Sequence, residues 1–261
     1  MSAKDPRKLV IPVKAWSPSA LDSYEKCPRQ FQFERLQKLC TQCFKGKLGK
    51  DRLTGKQRCD GCSKLLEESE HLAFGSQVHT ELENYVRGLG PATDNMKGPP
   101  LKKRLNKLRA DYKLRKVRVE LELAFTKLWT LTQWFASDVY VRFKLDVVHF
   151  VNAKLTEITD WKTGRYKPDG EYNDQLNSYS TAVLAAGFGE ETKARLVFTP
   201  NGEVVERADA GILTRKELPR AIKEWDVKAS PLFKDKRFDP KPSTLCKWCP
   251  YSANKGGPCE H

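Results

Sequence analysis

Apolar positions along the chain fall into short runs whose period changes. In SPSALDSYEKCPRQFQFERL, Leu21, Tyr24, Phe31 and Phe33 supply the apolar positions. Ser17 or Ser19 offers an N-cap and Pro18 suits an early helical position. Pro28 interrupts, so the pattern predicts one helix or two short ones over 18–38, after a polar, proline-punctuated arm over 1–16. Residues 39–63 carry no helical period. From His71 the helical period returns, with Leu72, Val78, Leu82, Tyr85 and Val86, until Gly88, Gly90 and Pro91 stop it. VRVELELAF then alternates, with Val117, Val119, Leu121 and Leu123 on one face and Arg118, Glu120 and Glu122 on the other, which is a half-buried strand. Further strands are expected around 129–135, 139–148, 154–161, 194–199 and 203–207, with helices at 171–187 and 214–226. The order is mixed α/β, ending in a Lys/Pro-rich tail over 228–261, and no segment of 20 residues or more repeats.

Charge sharpens this outline. The chain has 261 residues, 47 Lys+Arg against 33 Asp+Glu, and a net charge of +14. Residues 97–118 hold ten Lys/Arg and one Asp and read as an exposed basic helix feeding the first long strand. Such a balance favours a polyanionic partner, nucleic acid above all. Apolar stretches such as STAVLAAGFG are far short of a membrane span, and MSAKDPRKLV has no signal-peptide core. The expected location is the cytoplasm, where thiols stay reduced. Eight cysteines there point to metal ligation rather than disulfides.

Two predicted strands carry the first candidate chemistry. Asp146 lies in VRFKLDVVHF, and Asp160 and Lys162 lie in LTEITDWKTG. Residues i and i+2 of a strand share a face, so Asp160 and Lys162 project together, and a hairpin brings Asp146 alongside. Two converging carboxylates suit Mg²⁺ or Mn²⁺, and a neighbouring lysine can orient water and offset charge on a phosphate. An ordinary solvated ion pair has the same spelling. His79 follows Gly75 by one helical turn, where glycine permits close approach of another backbone and the imidazole can complete a metal site. Gln175 and Tyr179 stand i,i+4 on the next predicted helix, within reach of a phosphate or the lysine.

Taken in order, SPSALDSYEKCPRQF, FGSQVH, KLDVV, ITDWKTG, QLNSY and CKWCP resemble the RecB-like branch of the PD-(D/E)XK nuclease superfamily. That branch includes the AddB-type nuclease domain, CRISPR-adaptation nucleases and phage exonucleases. The resemblance implies a restriction-endonuclease-like α/β core, a mixed central sheet flanked by helices. It implies that His79, Asp146, Asp160 and the main-chain carbonyl of Trp161 hold the divalent metal. Lys162 then activates water, and Gln175 and Tyr179 form the family's helix motif beside the site. Glu120 stands where some relatives place a further acid. Imidazole ligation tilts the preference from Mg²⁺ towards Mn²⁺.

The cysteines separate into two sets of four. Cys40-x₂-Cys43 and Cys59-x₂-Cys62, 15 residues apart, have the spacing of a structural zinc ribbon, which would fold a small basic insert over 39–63. Six Lys/Arg lie between the knuckles, available to DNA or simply to solvent. Cys27 with Cys246, Cys249 and Cys259 matches the iron–sulfur members of the nuclease branch, and by resemblance these four hold a [4Fe–4S] cluster that ties 241–261 to Cys27. Four thiolates also suit zinc, and His261 offers a nitrogen ligand two residues past Cys259.

These readings give one nuclease domain over 1–261, interrupted by the ribbon. The expected activity is metal-dependent exonucleolytic hydrolysis of DNA ends or single strands, in recombination, repair or phage DNA metabolism. No GxxxxGK[ST] loop is present, so movement along DNA calls for a helicase or recombination partner, or for an already open substrate. Two alternatives use the same residues differently: a CRISPR-type spacer processor, and a DNA-binding adaptor that retains nuclease motifs.

Overall fold

A computed structural model describes residues 6–8, 11–52, 54–67, 69–164, 172–199, 203–205 and 211–261. Two compact units divide the chain: residues 1–69 with 227–261, and residues 70–226.

The first unit opens with α1 (Pro18–Lys26), capped by Ser17, whose side chain accepts from the Ala20 N–H at 3.3 Å. Extended backbone at Cys27 ends α1 and starts α2 (Pro28–Phe31), which runs on as a π-helical turn over Gln32–Leu36. The interruption expected at Pro28 is therefore a sharp corner with Cys27 at its apex. Three short antiparallel strands follow, β1 (Leu48–Lys50), β2 (Gln57–Cys59) and β3 (Leu65–Leu66). The knuckle turns before β1 and after β2 pack glycine to glycine: a Cβ on Gly46 would stand 2.4 Å from both Cys59 Sγ and Gly61 N. Near the C-terminus, the buried Tyr251 ring packs at a tilt against Phe33, centroids 5.4 Å apart, and its hydroxyl donates to the Leu39 carbonyl at 3.1 Å. Phe238 packs against Phe31 and Tyr24.

In the second unit, α3 (Glu70–Arg87) and α4 (Pro99–Lys113) precede the long strands β4 (Val117–Phe125), β6 (Val141–Phe150), β7 (Leu155–Lys162) and β8 (Glu191–Phe198). Short strands β5 (Leu131–Thr132), β9 (Glu203–Val205) and β10 (Leu213–Thr214) join them, and α5 (Asn173–Ala185) links β7 to β8. Among the described residues the sheet has seven strands, ordered β10-β8-β7-β6-β4-β5 with β9 on β8. The β7–β8 pair is parallel and the other pairs are antiparallel. This is the mixed, helix-flanked sheet of a restriction-endonuclease-like core. One core joins Val78, Leu82 and Tyr85 of α3, Leu101, Leu105 and Leu108 of α4, and Val117, Val119, Val147, Trp161 and Val197 of the strands. No helix among the described residues is long and apolar enough to cross a membrane.

Several boundaries move. The basic segment 97–118 does contain a helix feeding a strand, but the helix is not simply exposed. Leu101, Leu105 and Leu108 recur at i, i+4 and i+7 and are buried, while Lys102, Lys103 and Lys107 face solvent. Charge dominated the composition and masked the stripe. The strand expected at 129–135 shrinks to β5, and the helix expected at 214–226 becomes α6 (Leu218–Lys234), entered through β10. Residue 171 of one expected helix and residues 206–207 of one expected strand lie outside the described residues. In β4 the alternation holds at Val117, Val119 and Leu123 but breaks at Glu120, whose φ is +51°, leaving Leu121 half-buried.

Truncating the α4 stripe should therefore cost more than removing its charge. Leu105→Ala is expected to destabilise by about 2–5 kcal/mol, and Lys103→Ala by less than about 0.5 kcal/mol, in denaturant titrations.

Candidate active site

The parting of β6 from β7 builds the centre of the site. Their pairing runs from Phe150↔Thr156 to Val147↔Thr159. The next step would set Asp146 opposite Asp160, and there side-chain bonding replaces the ladder: the Trp161 N–H donates to Asp146 Oδ2 at 2.7 Å. Trp161 points into the α3–α4 core, so Asp160, one residue before it, projects to the opposite face.

Asp160 is 5% exposed. Its Oδ1 accepts from Gln175 Nε2 at 3.2 Å and from the Tyr179 hydroxyl at 3.3 Å, and Gln175 Nε2 also donates to Tyr179 Oη at 2.7 Å. Its Oδ2 makes no aligned hydrogen bond but lies 2.6 Å from Lys162 Nζ. Burial raises the Asp160 carboxyl to about pH 6, against the pull of the Lys162 ammonium and with the repulsion of Asp146. Tyr179, also buried, is held well above the usual phenol range.

His79 arrives from α3. A Cβ on Gly75 would meet Thr163 Oγ1 at 3.3 Å, so the glycine lets this turn of α3 lie close to the end of β7. His79 Nδ1 stands 3.5 Å from Asp146 Oδ2. Its hydrogen bond to Asp146 raises the imidazole above its usual range despite partial burial.

Glu120 joins these two. Donor atoms of His79, Glu120 and Asp146 all lie within 4.8 Å of one another. A left-handed residue inside a strand is strained, and here the strain coincides with Glu120's arrival beside the histidine. Lys144 pairs with Glu120. An open cleft of about 520 Å³ is lined by His79, Glu120, Lys144, Asp146 and Thr163 with the first turns of α3.

The expected residues are thus gathered, with a changed grouping. His79 and Asp146 converge with Glu120 rather than with Asp160 in the tightest cluster. Asp160 faces Lys162, Gln175 and Tyr179. Gln175 and Tyr179 bond to the carboxylate itself, so they orient the acid. Trp161 contributes its N–H to Asp146. Two participants were not expected from sequence. The Trp161 N–H is a backbone donor with no side-chain signature, whereas Lys144 shares the alternate positions Arg142, Lys144 and Asp146 of VRFKLD.

The buried Asp160 carboxylate, whose Oδ2 has only the Lys162 ammonium beside it, and the neighbouring imidazole–carboxylate cluster fit a hard divalent cation. The acid oxygens and the imidazole are ligands such a cation accepts, and the adjacent Lys162 ammonium supplies positive charge without being a ligand. Over residues 15–254 the sequence matches the PD-(D/E)XK nuclease superfamily. The chain belongs to that superfamily, whose members are metal-dependent nucleases. A search of curated proteins finds no match. The solved structure of SSO0001 shares 12% identity, covering 94% of this chain and 87% of that one, with a TM-score of 0.43. A likeness that remote carries no functional argument.

The second unit of chemistry is thiolate. Cys40, Cys43, Cys59 and Cys62 converge within 4.8 Å, with Cys43 and Cys59 sulfurs 3.6 Å apart. Thiolates around one zinc at ~2.3 Å sit roughly 3.8 Å apart, so this group fits zinc. Burial pushes Cys40 up to about 11. Burial also acts on Cys43, but N–H donors of Gly46 and Lys45 outweigh it and hold that thiol at about 6. Cys27, Cys246, Cys249 and Cys259 line one pocket of about 260 Å³. Among the described residues, no three of these four converge within 4.8 Å.

Asp160 ionises higher in the fold than the ordinary carboxyl value of 3.8. Its contribution to stability is therefore present below about pH 4 and is lost as the pH rises through about 6 when no cation is bound. Asp160→Asn is expected to raise the unfolding midpoint of chelator-treated protein by several degrees at pH 7 and not at pH 4. A lower midpoint at pH 7 would contradict the assignment.

Proposed function

We propose that the protein is a divalent-metal-dependent DNA exonuclease acting on DNA ends or single strands. The observation that carries this reading is the convergence of His79, Glu120 and Asp146 beside the buried Asp160–Lys162 pair. His79, Asp146, Asp160 and the Trp161 carbonyl, with Glu120 as a further acid, are the residues that would hold Mg²⁺ or Mn²⁺. The bound cation would polarise the phosphodiester and lower the pKa of its water.

The chain's own residues do the rest. The Trp161 N–H and His79 fix Asp146. Gln175 and Tyr179 clamp Asp160, and with it the Lys162 ammonium. Lys162 orients the attacking water and offsets the charge that develops on the phosphate. At low pH, protonated His79 and Asp160 cannot serve as ligands, so activity falls as the pH is lowered.

The two cysteine sets belong to the same proposal. Cys40, Cys43, Cys59 and Cys62 bind structural zinc. Cys27, Cys246, Cys249 and Cys259 hold a [4Fe–4S] cluster, a reading supported by the one pocket that all four line. Use on duplex DNA calls for a helicase or recombination partner, and the pathway is recombination, repair or phage DNA metabolism.

Digestion of end-labelled single- and double-stranded DNA in Mn²⁺, Mg²⁺ or EDTA tests the activity. Cleavage should vanish in EDTA and fall at least about 10²-fold in Asp160→Ala. Equal cleavage by variant and wild type would remove the enzyme reading. Covalently closed circles should resist, and their digestion would mark an endonuclease.

Metal analysis after anaerobic purification should give iron and sulfide near four per chain and zinc near one. Two zincs without iron would overturn the cluster.

A further inference from the structure

The loop joining β4 to β6 carries apolar surface that the catalytic centre does not use. Phe135 is 89% exposed and Leu128 87%. Trp134 is half-buried, with the Arg142 guanidinium 5.7 Å over its ring and Arg142 Nε donating to the Trp134 carbonyl at 2.7 Å. That bond ties the Trp134 backbone to β6, and Phe135 follows it directly in the chain.

Along β6, Val141, Phe143, Leu145 and Val147 are buried, while Arg142, Lys144 and Asp146 stay open to varying degrees. Same-face residues of a strand recur every ~6.8 Å, on the order of one nucleotide of an extended single strand. From the Asp146 carboxylate the open face thus presents Lys144, then Arg142, then the aromatic pair at Trp134. Phosphate contact followed by base stacking is how single strands are held without regard to sequence. Arg142 over the Trp134 ring and the exposed Lys144 ammonium, which also pairs with Glu120, offer charge to a polyanion and give no reason for a second copy of a +14 chain to dock there.

We propose that Lys144, Arg142, Trp134 and Phe135 form a track for single-stranded DNA, which passes its phosphates over the two cations and stacks a base on Phe135, two or three nucleotides from the bond that is cut. The track rests on the nuclease reading and specifies its substrate as an unpaired strand.

Phe135→Ala is the direct test, because an exposed side chain leaves the fold intact. Fluorescence anisotropy with a labelled oligonucleotide in EDTA should show the single-strand Kd weakened about ten-fold, while Leu128→Ala binds like wild type. In wild type, an abasic site walked along the strand should weaken binding most at the second or third nucleotide from the cleaved bond. In Phe135→Ala the same abasic site should add nothing further. If wild type cuts DNA in Mn²⁺ but Phe135→Ala matches it in Kd, KM and abasic profile, the track is wrong and the nuclease reading stands. If Phe135→Ala changes the oligomeric state and not the Kd, the surface is a protein contact and the track is wrong. If wild type neither binds nor cuts DNA, the nuclease reading itself fails.

Discussion

Burying the Asp160 carboxylate is the constraint on which the site depends. An acid at 5% exposure is tolerated only with partners, and the fold supplies them from α5 and from β7 itself. Gln175 and Tyr179, one turn apart on α5, satisfy Oδ1, and the Lys162 ammonium meets Oδ2. Asp146 and His79 stand across the opening of the sheet. The balance is incomplete, because the carboxyl still ionises at about 6. A group left short of counter-charge is one that a divalent cation would relieve, so the same imbalance that weakens the fold prepares the metal site.

Local backbone irregularity completes the arrangement. The β6–β7 ladder stops at Val147↔Thr159, so the Trp161 N–H is left for the Asp146 carboxylate, while Asp160 keeps its place in the β7–β8 ladder. Glu120 reaches the cluster through a left-handed residue in β4. Such strain persists only where the surroundings hold it, here the flanking β4–β6 pairs Val119↔Val147 and Leu121↔Leu145 and the ion pair with Lys144.

Much of this was readable in the sequence. Asp-x-Lys on an alternating strand, a histidine one turn after a glycine, and the paired Cys-x-x-Cys knuckles are signals whose spacing survives folding, because period and turn chemistry are local. The positive φ at Glu120 was not readable, since glutamate has no preference for that conformation and the strand around it alternates regularly. Nor was the α4 leucine stripe, which ten basic residues obscured. Tyr251 was also invisible, because its partners lie far away in sequence. Within the first unit it packs on Phe33 and Phe44 and bonds to Leu39, with Cys249 and Cys259 against the same small core. Residues next to both cysteine sets therefore pack against one buried tyrosine.

Crystals soaked in Mn²⁺ and measured at the manganese absorption edge test the central claim most directly. The account predicts an anomalous peak bounded by His79, Asp146 and the acids beside them, and its loss in His79→Ala. A manganese-saturated crystal with no peak there, or with its peak elsewhere, would contradict it.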